Sequence, residues 1–361
     1  DSLEYKNHFF ALYELTDRRR VQEKSEAYFL SGISIEAYPA ITNKISRAYG
    51  GGGGNLISKM ISSIISEFVY TESVKALHYN YRDTIGLRQN KVIDVDATIG
   101  LQKYIIPNLT VDDTIDFLAK ADSPDHIPYY LFYENSKGFN FKNLGNLIKQ
   151  DVKEEFVYLP SNIDEGKGTA NDENFDRTKI IAFDIVKQSN LIDNIQSGLY
   201  KSKTIHLDLL RKNKREVVYN YDDYVSKFSK LNPYKIVGDI DTIPVVRMMA
   251  SRTGHDTDPL FAAEAPAPKK YGEVIGQSES YAAHIFNTII ELDVHGDSEL
   301  DVGDIIRISI PVAATSNDQD GEEDKYLSGK YVITKLRHKM LNGTDSFTTI
   351  LECAKDTGTK I

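Results

Sequence analysis

The last third of this chain alternates apolar and polar residues in short runs set off by turn-forming residues, and this pattern constrains the fold more than any other feature. Ile285 to Val294 alternates, Gly303-Asp304 turns the chain into Ile305 to Ile310, and Pro311 stops that run. Gly329 to His338 follows, Asn342-Gly343 is a strong signal for a two-residue hairpin turn, and Phe347 to Cys353 runs back. Side chains repeat with period two along a strand, so four such runs joined by tight turns predict an antiparallel sheet or barrel.

Upstream, the elements are mixed. Phe9 to Leu15 and Ala27 to Ile35 are strand candidates joined by a basic link, Arg18-Arg19-Arg20, which reads as a solvated turn in preference to a phosphate or localisation patch. Two strands do not make a stable sheet by themselves, so these two are expected to pair with a missing segment or to add to another sheet. Leu56, Ile57, Met60, Ile61, Ile64, Ile65 and Phe68 recur at helical spacing. A second helix is capped by Thr110, carries Asp112 and Asp113 in its first turn, and has Val111, Ile115, Leu118 and Ala119 as its apolar stripe. Tyr129 to Glu134 and Phe139 to Leu144 flank a turn, and a helix followed by a hairpin indicates an α+β unit. Residues 161–178 read as a loop or boundary. Ile180 to Val186, Thr204 to Leu210 and Glu216 to Tyr221 are further strands, and the Pro- and Ala-containing stretch between about 250 and 272 reads as an extended surface excursion.

The motifs that could carry chemistry have simpler explanations. Gly50 to Gly54 precedes a helix, as a phosphate loop does, but Asn55-Leu56 replaces the required Gly-Lys-Ser/Thr ending and no strand leads in, which leaves a hinge or loop. The single cysteine, Cys353, sits in an alternating apolar run without a basic neighbour, as a buried hydrophobe does and a nucleophile does not. The acid pairs Asp112-Asp113 and Asp222-Asp223 are sequence neighbours, whereas a glycosidase pair faces its substrate from opposite sides. His255, Asp256 and Asp258, with His284 and His295 later, lack any paired-ligand spacing for a metal and read as surface histidines. We therefore assign no catalytic, cofactor-binding or metal-binding residues and no cofactor. A net charge of −10, from 53 acids against 43 bases, excludes sequence-independent gripping of DNA, which needs a basic surface that releases counterions. No run approaches the roughly 18 apolar residues of a membrane helix.

Three stretches resemble a known family. Leu300-Asp301-Val302-Gly303-Asp304-Ile305-Ile306-Arg307-Ile308, then Leu327 to His338, then Phe347-Thr348-Thr349-Ile350-Leu351-Glu352 are similar to the end of baseplate hub proteins of contractile-tailed bacteriophages. Asn194-Ile195-Gln196-Ser197-Gly198-Leu199-Tyr200, Asp208 and Tyr219-Asn220-Tyr221 are similar to the same family. The resemblance implies an α+β, mainly β fold, with two tail-tube-like antiparallel β-barrels and an α+β middle domain. Mapped on this chain, 1–37 would hold the last strands of a first barrel whose rest is missing, and 38–178 the middle domain. Residues 179–221 would begin a second barrel, 222–282 would form a return excursion packing on the middle domain, and 283–361 would complete the second barrel. The family's first barrel should be whole before the middle domain begins, so either the chain is a piece of a longer product or the mapping differs at that end.

By the same resemblance the function is structural, not enzymatic. A homotrimeric ring would join a trimeric tail spike, with or without a lysozyme domain, to the hexameric tail tube, contacting baseplate wedge and tape measure proteins. DNA would pass through the ring without specific binding, and an acidic lining would not hold phosphates. The densest acidic segment is Asn317 to Asp324. The alternatives are the hub or tip of a related contractile injection system, which shares the fold, and a cell-wall hydrolase.

Overall fold

The computed structural model describes residues 10–22, 25–50, 54–71, 91–121, 129–159, 177–208, 212–233, 236, 243–250, 271–312, 323–341 and 346–357. In chain order the first elements are β1 (Phe10–Gln22), β2 (Ser25–Ser34), α1 (Ala37–Thr42), β3 (Lys44–Tyr49), α2 (Ile57–Ile64), β4 (Val92–Val95), β5 (Tyr104–Thr110) and α3 (Val111–Ala121). Then come β6 (Tyr130–Glu134), β7 (Gly138–Asn143), α4 (Leu144–Leu147), β8 (Val152–Val157), β9 (Ile180–Lys187), α5 (Leu191–Gln196), β10 (Lys201–Asp208) and β11 (Asn213–Asn220). The rest are α6 (Tyr221–Tyr224), β12 (Val245–Ala250), α7 (Tyr271–Ile285), β13 (Thr288–His295), β14 (Ile305–Ser309), β15 (Gly329–Leu341) and β16 (Ser346–Lys355). The fold is mainly β with helices, in two units: one drawn from 1–122 and 137–141, the other from 123–136, 142–259 and 268–361.

In the first unit β3 pairs antiparallel with β5, and β4 pairs parallel with β7. The core is made by the stripes that periodicity predicts: Ile57, Met60, Ile61, Ile64 and Ile65 of α2 are buried, as are Val111, Ile115 and Leu118 of α3. The stripe departs from prediction at one point. Past Ile64 the helix widens into a π-turn over Ile65–Tyr70, which rotates the inward face, so Val69 is buried in place of Phe68. Phe68 instead lies under the Arg47 guanidinium, 5.5 Å from its ring centroid. Thr110 caps α3 as expected: its hydroxyl accepts from Asp113 N (3.2 Å) and donates to Asp113 Oδ2 (2.7 Å). A strand, β3, does lead into Gly50, contrary to the reading of the sequence, and Gly50 and Gly54 are not a free hinge. Both have φ of +88°, and a Cβ on Gly50 would stand 2.4 Å from Gln102 O.

The two N-terminal strands pair with each other, from Phe10↔Ser34 to Gln22↔Ser25. Among the described residues they form a two-stranded sheet. Asp17, at a bulge between Thr16 and Arg19, takes a left-handed φ of 52°, a conformation Asp tolerates better than most residues.

The second unit holds a six-stranded sheet in the order β8-β14-β15-β16-β13-β9. The four strands expected from the C-terminal pattern are β13 to β16, but β13 pairs with β16 rather than with β14, so the last strand returns beside the first. The edge strands come from earlier in the chain: β8 runs parallel to β14 and β9 antiparallel to β13. The sheet is a curled half-barrel whose two edges touch at one end. There Val157 N donates to Thr178 O at 2.9 Å, and the Tyr158 and Phe183 rings meet edge to face at 4.8 Å. Its inner face buries Phe156, Ile290, Leu292, Val294, Ile306, Ile308, Tyr331, Ile333, Leu351 and Cys353. A three-stranded sheet, β11-β10-β12, carries α7 on one face, where Gly276 approaches so closely that a Cβ would meet Ser202 Oγ at 2.7 Å. The predicted strand start at Ile285 is the end of α7.

The Gly303 turn allows one stability prediction. Gly303 has φ of +92°, donates its N–H to Ile333 O at 2.9 Å, and would place a Cβ 2.6 Å from Tyr133 Oη. Gly303→Val should lower unfolding free energy by about 1–3 kcal/mol in denaturant melts, since a β-branched residue in the left-handed region is strained. An unchanged midpoint would mean that the turn relaxes freely.

Candidate functional site

The densest buried polar cluster lies where α7, the loop after α6 and the end of β16 converge. Asp356 is fully buried just past β16. Its Oδ2 accepts from Leu231 N (2.8 Å) and Asn232 N (3.2 Å), and its Oδ1 accepts from Asn232 Nδ2 (2.8 Å) and Thr357 N (2.8 Å). Asn232 in turn accepts from Lys330 N at 3.0 Å and donates to Lys330 O at 3.1 Å, pinning the loop to β15. Asn287 donates to Asp356 O and accepts from Asn194 Nδ2, which brings in α5. Burial pushes the Asp356 carboxyl above its ordinary range, and the hydrogen bonds from Asn232, Thr357 and Leu231 oppose that.

His284 of α7 is fully buried beside this carboxylate, with Nε2 3.9 Å from Asp356 Oδ2 and Nδ1 3.0 Å from Tyr221 Oη. Tyr221 Oη also bonds the backbone of Ile236, an arrangement satisfied when it donates to Nδ1 and leaves the imidazole proton on Nε2. Burial, with the nearby Lys230, lowers the His284 pKa to about 3, so the ring is neutral. Lys355 is buried as well: its Nζ donates to Ser328 O at 2.9 Å and stands 5.1 Å from the centre of the Tyr331 ring, and burial lowers its pKa to about 8. His284 Nε2 has no hydrogen-bond partner, while Asp356, Asn232 and Asn287 lock the loop after α6, the end of β16 and the turn after α7 together.

The other residues weighed in the sequence fall apart in space. Burial pushes the Cys353 thiol far up, as suits a packed hydrophobe. Asp113 serves the α3 cap, and Asp222 and Asp223 fill the first turn of α6. His284 is buried on α7 while His295 ends β13 facing solvent, and His255, Asp256 and Asp258 lie outside the described residues. Among the described residues no group of three or more His, Cys, Asp or Glu side chains could hold a metal. Of the acidic segment, 317–322 lies outside the described residues. Glu323 pairs with Arg307 at 3.4 Å and accepts from Ser309 Oγ, and Asp324 Oδ1 accepts from Tyr326 N and Leu327 N. The Asn342-Gly343 turn also lies outside the described residues.

Exposed apolar side chains lie on several strands. The β1–β2 hairpin exposes Phe10, Leu12, Leu15, Tyr28 and Leu30, which alternation and register place on one face, and Phe29 and Tyr13 besides. The half-barrel edge β9 exposes Ile181, Ile185 and Val186, and β12 exposes Val246 and Met248.

No family model matches the chain. It is 22% identical over 243 residues to a probable baseplate hub protein of Vibrio phage KVP40, a match covering 64% of this chain and 53% of that protein. The chain thus matches about half the length of that relative. Among solved structures it resembles a tail protein from Neisseria meningitidis MC58 (TM-score 0.48, 10% identity, 95% of this chain and 79% of the other). It also aligns with the phage P2 baseplate in its activated conformation with Ca (TM-score 0.28, 8% identity, 98% of this chain and 75% of the other). The chain is a distant relative of a phage baseplate hub protein.

Proposed function

We propose that this chain is a structural hub protein of a contractile-tailed phage, a virion component of the tail baseplate. The observation that carries the reading is the match to the KVP40 hub protein over 243 residues. The architecture supports it: the polar side chains of the buried cluster join elements, while apolar strands face outward as assembly surfaces do. In this reading three copies form a ring that joins a trimeric spike to the hexameric tail tube, beside wedge and tape measure proteins. Residues 179–221 and 283–361 supply one tube-like barrel, 38–178 the middle domain, and 1–37 part of a first barrel. Genomic DNA passes through, and a net charge of −10 keeps the ring from holding it by phosphate contacts. Peptide mass spectrometry of purified tails tests the reading: the chain should be present with the tube and spike proteins. Tails that lack it would refute the assignment.

A further inference from the structure

We propose that the free edge of β15 is a docking site for an acidic, extended segment of another protein, taken up as an added strand. The starting point is a mismatch in strand length. β15 runs from Gly329 to Leu341, but β14 pairs only with Gly329 to Val332. One further step is closed by Ile333, whose O accepts from Gly303 N and whose N donates to Asp304 O. From Lys335 to Leu341 the strand keeps β16 on one side and, among the described residues, has no strand on the other. Alternate backbone N–H and C=O groups along such an edge are open to pairing, and an extended peptide satisfies them.

The side chains select what fits. Lys335, Arg337 and Lys339 alternate along the strand, so they share one face at a spacing of about 6.8 Å, and all three are exposed. Lys335 pairs with Glu352 at 2.7 Å, while Arg337 and Lys339 have no ion-pair partner among the described residues. The 13 residues of β15 hold four bases and no acid, in a chain whose net charge is −10. Two such basic edges repel each other, which disfavours pairing edge to edge between copies. A nucleic acid would meet the cations without using the backbone edge, and the negative charge of the whole chain works against it. A strand with Asp or Glu at every second position has the same repeat as the cation row and meets it in register. Met340, on the opposite face, is 70% exposed, so apolar residues at the intervening positions find cover there.

A fluorescein-labelled peptide alternating Glu and Val tests the site on the full-length chain, with fluorescence anisotropy as the readout. It should bind, and added salt should weaken it. Arg337→Glu with Lys339→Glu should weaken binding roughly 10-fold while the melting midpoint stays put, because both side chains are exposed. The same peptide N-methylated at every residue keeps its charges but has no N–H to donate, so it should not bind. Binding that survives N-methylation, or equal binding of a single-stranded DNA oligonucleotide of the same charge, would overturn the proposal. So would no binding of the alternating peptide at millimolar concentration. Self-association of the wild-type chain that the double variant abolishes would place a second copy on this edge and overturn the choice of partner. The site does not rest on the hub reading: absence of the chain from tails would refute that reading and leave this result standing.

Discussion

Asp356→Ala should destabilise the second unit by roughly 3–5 kcal/mol, a large share of a typical domain's total. Four donors converge on this carboxylate from Leu231, Asn232 and Thr357, and none of them reaches solvent at Asp356. Truncation to alanine leaves those groups without an acceptor in a dry site, which costs far more than the net worth of one hydrogen bond. It also frees the loop after α6 from the end of β16, so the tie from Asn232 to Lys330 loses its anchor. Denaturant unfolding followed by tyrosine fluorescence would measure the loss. A change below about 1 kcal/mol would mean that water replaces the carboxylate at little cost.

The second large effect is a loss of stability on mild acidification, traced to His284. Its folded pKa is lowered to about 3 from an ordinary 6.5, so as pH falls below about 6.5 the unfolded chain takes up a proton that the folded chain refuses. Stability from this group is therefore complete above the unfolded value and is lost as pH falls towards the folded one. The slope is roughly 1.4 kcal/mol per pH unit, so pH 7 to pH 5 should cost about 2 kcal/mol. Asp356 faces the ring and has its own pKa raised, so it works in the opposite direction once pH nears the carboxylate range. His284→Gln removes the titrating group, and its stability should fall by about 2 kcal/mol less than wild type over the same interval. Parallel curves for the two proteins would place the acid sensitivity elsewhere.

What the sequence made legible follows from how locally each element is written. The strands β13 to β16 alternate and are set off by Gly303-Asp304, Pro311 and Gly329, so both their existence and their inward faces could be read. β8 could not: Lys153-Glu154-Glu155 interrupts its alternation, and its partner β14 lies far downstream in a parallel pairing. β12 was hidden by its neighbourhood, where a continuous run from Val245 to Ala250 leads into the Pro- and Ala-containing stretch. α7 was hidden by its own buried face, which carries Gln277, Ser280 and His284 where an apolar stripe would be sought. The polar lock had no local signal, because His284, Asn232 and Asp356 are distant in sequence and meet only through tertiary structure. The resemblance to hub proteins was carried by the same C-terminal strands that patterning read best.

Cryo-electron microscopy of purified tail baseplates tests the central claim most directly. The account predicts density for this fold in three copies around the tail axis, between spike and tube. A baseplate whose central ring is fully accounted for by other chains, with this one absent or peripheral, would contradict it.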